Sequence, residues 1–313
     1  MKVNEYLTFA EIVEDNDEYS QYKINCQDSY GYMTLFEILP GLQIIFNDFQ
    51  CDVSPESKEF PNKQYLEINH CLHGRFECVF EENRYGYLGE GDVSMNDWSI
   101  DRKVSSFPLG YYYGIEILID IDQVSQSSFF EQFHIDVLAL FEKVRKNHKL
   151  IIVRSTERIQ HIYWEMYHVW DRMSKDYLKL KVAELLFFLQ DATFEMIDER
   201  HYYTKQQIQI VKQVKKYLSQ NYQEKYKIQE LADYFHINVI TLRKCFKDIY
   251  GKPIYQWHKE YRLEKARRLL LETDLSIITI ATQIGYTNPS KFSSAFQSHF
   301  HYTPLLYRKA HKP

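Results

Sequence analysis

Arg243, Lys244 and Lys247 lie just beyond a short break at His236-Ile237-Asn238, on the side of a helical pattern opposite Leu242 and Phe246. On an exposed helix face a guanidinium can donate a bidentate pair to guanine, and an ammonium can neutralise a phosphate. An apolar tip such as Ile240 can meet a thymine methyl. With Asn238 and Thr241 these residues form a first candidate nucleic-acid-reading set. A second set, Asn288, Ser290, Lys291, Ser293, Ser294 and Gln297, stands in the same relation to Phe292 and Phe296. It holds one charge, and serines and short amides read base edges weakly. The first set is therefore expected to supply discrimination, and the second to supply position through phosphates.

Side chains with such roles need rigid helices to aim them, and the stretch from Ile228 to Arg308 contains the same helical device twice. Ala232 aligns with Ala281, Leu242 with Phe292, Phe246 with Phe296, Tyr250 with Phe300 and Pro253 with Pro304. In the first copy Leu231, Ala232 and Phe235 give a short helix an apolar face, and Leu242, Cys245 and Phe246 bury the next one. In the second copy Ile278, Ala281 and Ile284 are expected to bury one side, with Gly285 at the turn. Each copy has helix-turn-helix spacing. Between them, Pro253 to about Leu271 reads as one helix on the order of 27 Å long at about 1.5 Å per residue. With the width of the packed units, the two second helices would stand roughly 34 Å apart, one turn of B-DNA.

Residues from about Gln206 to Pro313 resemble the DNA-binding domain of the AraC/XylS transcription regulators. The resemblance rests on the tandem motif, on Arg262-Leu-Glu-Lys-Ala266-Arg-Arg-Leu-Leu270, on Gly285-Tyr-Thr-Asn-Pro-Ser-Lys-Phe292 and on Thr303-Pro304-Leu-Leu-Tyr307-Arg308. It covers about a third of the chain. His236 and His301 stand where the family often has a turn glycine. The resemblance implies an activator controlled by a small-molecule effector, contact with RNA polymerase, double-stranded DNA as partner and a homodimer.

Charge supports a division of labour. Residues 205–313 hold 19 Lys and Arg against 8 Asp and Glu, and the rest of the chain 19 against 35, for a net charge of −5. A basic module beside an acidic one fits nucleic-acid binding joined to a sensing or partner module. Cys26, Cys51, Cys71, Cys78 and Cys245 include no CxxC pair, and no apolar run approaches a membrane span. A cytoplasmic protein without a membrane segment is expected.

The first 122 residues alternate short β-rich segments with turn signals such as Pro40-Gly41, Pro61-Asn62 and Gly89-Glu-Gly91-Asp92, predicting a sandwich or small barrel. Tyr87-Leu-Gly-Glu-Gly-Asp92-Val-Ser-Met resembles the turn-then-strand of cupin-like sensor domains. Apolar residues at helical spacing then mark 123–200 as a helical region, expected to mediate dimerisation as in the family. The fold class is thus α+β: a cupin-like β-sandwich or barrel at 1–122, helices at 123–200, and an all-α domain at 206–313 with two helix-turn-helix units joined by a linker helix. His73, Arg75, Glu77, Trp98, Tyr111 and Tyr113 are the candidate effector residues of the β domain. CLHGR followed by FPLGYYYGIEI is similar to regulators of the family that sense iron–siderophore complexes, which makes such a complex one candidate effector.

Two other readings compete. A metal-dependent cupin enzyme would need two histidines one residue apart, a carboxylate and a distant third histidine. His70 and His73 are three apart, and His161, Glu165 and His168 share a helix face without completing such a set. No GxSxG, P-loop or GxGxxG occurs. The expectation is no enzyme and no cofactor. A DNA-binding protein that answers to no ligand is the third reading.

Overall fold

The computed structural model describes residues 10–26, 29–52, 64–79, 85–97, 106–125, 127–146, 150–169, 175–191 and 203–311. The chain divides into two compact units, Met1–Tyr202 and Tyr203–Pro313. Trp98 and residues 199–202 of the expected interdomain joint lie outside the described residues.

The first unit is built on an antiparallel sheet of nine strands: β1 (Ala10–Asp15), β2 (Ser20–Cys26), β3 (Ser29–Leu39), β4 (Leu42–Phe49), β5 (Tyr65–Val79), β6 (Tyr85–Gly89), β7 (Asp92–Asp97), β8 (Tyr112–Asp120) and β9 (Leu150–Arg154). The spatial order is β1-β2-β3-β4-β8-β5-β7-β9, with β6 paired to the far part of β5. Among the described residues five helices accompany it: α1 (Ile121–Val124), α2 (Ser128–Gln132), α3 (Val137–Lys146), α4 (Glu157–Val169) and α5 (Lys175–Asp191).

Strand alternation sorts the side chains into two cores. Ile44 and Phe46 of β4, Ile68 of β5 and Ile117 of β8 join Phe141, Ile162, Leu178, Val182 and Leu186 of the helices in the larger one. Their neighbours Ile45, Phe49, Cys71 and Tyr112 point the other way, to a second core with Tyr22, Ile24, Met33, Leu35 and Phe107. A central strand covered on both faces is buried along its length, and β4 is buried at every position but one.

Two details differ from the sequence reading. The segment 123–200 is not helical throughout, because Leu-Ile-Ile-Val-Arg forms β9 on the outer side of β7. Three consecutive β-branched residues favour an extended chain once an edge is there to receive them. The stretch from Ser127 to Val144 is also two helices rather than one, broken at His134 with φ of 54° and restarted where Asp136 accepts from the Ala139 N–H at 2.8 Å. These helices share a core with the sheet, so their apolar excess is largely spent inside the unit.

Between sheet and α4, His70 stacks on Tyr163 with centroids 4.1 Å apart, and its Nδ1 lies 3.2 Å from Tyr167 Oη. The imidazole is 3% exposed. Burial, helped by the charge of Arg154, lowers its pKa to about 3. Because the folded value lies below the unfolded one of about 6.5, the native state disfavours the proton and the unfolded chain takes it up. The resulting stability is present above pH 6.5 and is lost as pH falls toward 3, by about 1.4 kcal/mol per pH unit. Urea unfolding of the first unit at pH 7 and pH 5 should therefore differ by about 2 kcal/mol from this residue alone. His70→Phe should remove that part of the difference. An unchanged pH dependence in the variant would show that His70 is not its source.

The second unit is all helical: α6 (Lys205–Gln220), α7 (Ile228–Tyr234), α8 (Val239–Tyr250), α9 (Ile254–Glu272), α10 (Ile277–Gln283), α11 (Pro289–Phe300) and α12 (Pro304–His311). Helix α6 begins with a capping box, Thr204 Oγ1 accepting from the Gln207 N–H at 3.2 Å while Gln207 Oε1 accepts from the Thr204 N–H at 2.9 Å.

Candidate nucleic-acid interface

Helices α7 and α8 form the first pair, α10 and α11 the second, and α9 lies between them in sequence. The two tight turns use the same hydrogen bonds. Ile237 N–H donates to the Ala232 carbonyl at 3.0 Å, and Tyr286 N–H to the Ala281 carbonyl at 2.9 Å. Each turn needs one left-handed residue, His236 at φ 52° and Gly285 at φ 80°. His301, the C-cap of α11, is also left-handed at 63°. The histidines thus adopt the conformation that glycine holds elsewhere, as Gly251 does at the end of α8.

Aromatic and aliphatic packing sets the orientation of both second helices. In α8, Leu242, Cys245, Phe246 and Ile249 are fully buried. Phe246 meets Trp257 of α9 at 5.7 Å. In the second pair, Phe292 and Phe296 of α11 join Ile280, Ala281 and Ile284 against Leu263, Ala266 and Leu270 of α9. Helix α9 therefore serves both pairs, with its Trp257 end on α8 and its Leu270 end on α10 and α11. Arg308 of α12 closes that end, donating to the carbonyls of Leu270 at 3.2 Å and Leu275 at 2.6 Å. One expected core residue is misplaced: Ile278 is 64% exposed, and Ile280 is buried instead. With Ala281 and Ile284 already inward, the 100° step per residue puts position 280 on their face and 278 outside it.

The opposite faces carry the expected sets. Ile240, Arg243, Lys244 and Lys247 are exposed, with Thr241 half-buried beside them. In α11, Ser290, Lys291, Ser294 and Gln297 are exposed and Ser293 is half-buried. Asn238 and Asn288 are exposed but have a definite local task. Asn238 Oδ1 accepts from the N–H groups of Ile240 at 2.8 Å and Thr241 at 3.4 Å. Asn288 does the same for Ser290 at 2.9 Å and Lys291 at 3.2 Å. Both are N-caps, legible in the sequence as Asn just before an apolar-periodic run. Replacing Asn238 by alanine should cost about 1 kcal/mol of stability in the second unit, measured by chemical denaturation. A loss near zero would show that the cap is replaced by solvent.

Five of the six candidate effector residues lie among the described residues, on β5, on β8 and just before β8. His73 and Tyr113 are register partners on β5 and β8. Tyr113 turns toward Tyr167, with ring centroids 5.4 Å apart, while His73 and Tyr111 are exposed. Arg75 covers Gly89, where an added Cβ would lie 2.5 Å from its guanidinium. Glu77 accepts hydrogen bonds from Tyr87 Oη at 2.6 Å and Ser106 Oγ at 2.8 Å. The bulge between Cys71 and His73 shifts the register of β5 by one residue, which sets His73 opposite Tyr113. Of the helical trio, Glu165 pairs with Lys181, and His168 Nδ1 lies 2.8 Å from the Trp164 carbonyl. Among the described residues no three His, Cys, Asp or Glu side chains are grouped to hold a metal, and no helix is long and apolar enough to cross a membrane.

A family model described as a helix-turn-helix domain matches residues 231–310. The virulence regulon transcriptional activator VirF of Yersinia enterocolitica is 27% identical over 129 residues, covering 40% of this chain and 46% of that protein. The HTH-type transcriptional regulator ExsA of Pseudomonas aeruginosa is 28% identical over 138 residues, covering 42% and 46%. This chain thus spans about half the length of the curated relatives it matches. Among solved structures, the C-terminal domain of AraT, a response regulator from Geobacillus stearothermophilus, matches 33% of this chain and 87% of its own, at 27% identity and a TM-score of 0.32. The tandem helix pairs, the family match and these relatives together make the C-terminal unit an AraC-type helix-turn-helix domain, and the chain a relative of the AraC-family regulators.

Proposed function

We propose that this chain is a DNA-binding transcription regulator, an activator whose action is set by a small-molecule effector. The observation that carries the reading is the pair of N-capped helices, each anchored by a buried apolar face and each presenting an exposed polar face. Helix α8 reads base edges through Ile240, Arg243 and Lys244, with Thr241 and Lys247 beside them. Helix α11 contributes Ser290, Lys291, Ser293, Ser294 and Gln297, mostly to phosphates, so specificity comes chiefly from the first helix-turn-helix. The shared helix α9 sets their spacing to successive major grooves.

The N-terminal unit, cupin-like in this reading, is the sensor. Its helices also supply the homodimer contact, a role supported by the exposed Trp164, Leu180 and Phe187 on α4 and α5. Effector binding shifts the population of arrangements in which both DNA-binding domains engage adjacent half-sites. Activation then follows from contact with RNA polymerase, in the cytoplasm.

Mapping of chromosomal DNA occupied by the full chain, and by a chain lacking residues 206–313, tests the proposal. Discrete tandem sites about one helical turn apart are expected for the full chain and none for the truncated one. Absence of discrete sites with the full chain under all growth conditions would overturn it.

A further inference from the structure

The sheet face turned away from the helices carries a polar group that neither the DNA interface nor the cores require. Three rows of side chains cross the strands in register. Gln43, Leu118, Glu67 and Asn96 form one row, Ile45, Glu116, Asn69 and Ser94 the next, and Asn47, Gly114 and Cys71 the third. Directly opposed residues have Cβ atoms about 4.5–5.5 Å apart, so the polar members are contiguous across four strands. They are also deep: Glu67 is 1% exposed, Asn47 4%, and Asn69 and Asn96 6% each.

The hydrogen bonds give this patch a direction. Glu67 accepts from Asn69 Nδ2 at 2.7 Å and from Asn96 Nδ2 at 2.8 Å. Glu116 accepts from Asn47 Nδ2 at 3.4 Å. A carboxylate can only accept, so each amide is turned with its NH₂ toward an acid and its oxygen away from it. The consequence is visible at Asn47, whose buried Oδ1 has no hydrogen-bond partner. A buried acceptor without a donor is costly to keep and rare in folded proteins, which points to a group that arrives later.

We propose that this patch is the effector site of the sensor unit and that it takes a small organic cation, an ammonium or a guanidinium. The inference rests on the regulator reading of the N-terminal unit and names the ligand class for it. Ammonium and guanidinium groups are donors without acceptors, and they match the unpartnered Oδ1 of Asn47. Two carboxylates behind those amides add attraction for positive charge. A sugar hydroxyl, by contrast, is neutral and gains nothing from the two carboxylates. Ile45, Leu118 and Cys71 in the same rows offer apolar contact to a short carbon body.

Thermal unfolding of the full chain with agmatine and tyramine, and with butyrate and glucose at equal concentration, tests the assignment. The cations should raise Tm in a dose-dependent way, whereas butyrate and glucose should not. Asn47→Leu should weaken the cation's Kd about 10-fold or more, while leaving the ligand-free Tm equal or higher, because it removes the orphaned oxygen. Glu67→Gln should lose the shift as well, and Asn47→Leu carries the test if that variant does not fold. Equal cation binding by wild type and Asn47→Leu would overturn the location. A Tm rise with butyrate or glucose alone would overturn the cation class while leaving the sensor reading intact. No response to any of the four would also overturn it. If, in addition, DNA affinity ignores a small-molecule extract of the cells, the sensor reading falls with it.

Discussion

Replacing Gly285 by alanine is expected to destabilise the second helix-turn-helix by about 3 kcal/mol or more, enough to leave α11 without a fixed orientation. Two costs add. The left-handed conformation at φ 80° carries a penalty of about 1–2 kcal/mol for a residue with a Cβ. That Cβ would also lie 2.2 Å from the Gln223 carbonyl oxygen, and forcing backbone apart in a packed site costs about 1–3 kcal/mol. The first helix-turn-helix supplies the control. His236 occupies the same turn with the same hydrogen bond, yet its side chain is exposed. His236→Gly should therefore stabilise the unit by about 1 kcal/mol, relief of strain outweighing the greater freedom of the unfolded chain. Chemical denaturation of both variants, read by near-ultraviolet signals from the clustered aromatic rings, decides the matter. A Gly285→Ala protein with wild-type stability would show that the approach to Gln223 relaxes at no cost.

Arg243→Glu is the second large effect. The side chain is exposed on α8 and lies one step from the buried Leu242, so folding should change by no more than about 0.5 kcal/mol. DNA binding should change far more. Losing one bidentate base contact costs about 1–3 kcal/mol of discrimination, and placing a carboxylate beside phosphates adds repulsion. Specific affinity is expected to drop by about 100-fold or more, and the salt dependence should become shallower. Lys291→Glu on α11 should weaken all sequences alike and leave site preference intact. Footprinting and salt titrations with the full-length protein separate these outcomes. An Arg243→Glu protein that still selects the same sites would remove α8 from the reading role.

Much of the second unit was legible before any coordinates, because its information is local. Pairs such as Leu242 and Phe246, or Phe292 and Phe296, recur at four-residue spacing, and a helix turns that spacing directly into one buried stripe. The same local rule placed Arg243 and Lys244 on the outside. Where it failed, the miss was small: Ile278 and Ile280 differ by two positions, and the surrounding core chose between them. Asn238 and Asn288 were read as candidate DNA contacts, although their positions before apolar runs already announced helix caps.

The first unit shows the limit of that reasoning. Strand segments and their turns follow from β-branched runs and glycines, but their partners do not. That β8 lies between β4 and β5, or that β9 closes on β7, depends on residues 38 to 77 positions apart whose spacing says nothing of register. One bulge in β5 inverts the faces of His73 and the residues that follow, which sets His73 opposite Tyr113. The same pairing brings Asn47, Glu67, Asn69, Asn96 and Glu116 side by side from four strands. Sequence by itself determined the helix-turn-helix repeat, because helical periodicity is written within a few residues. Tertiary structure alone decided what the sheet encloses, because strands acquire neighbours only when distant segments pair.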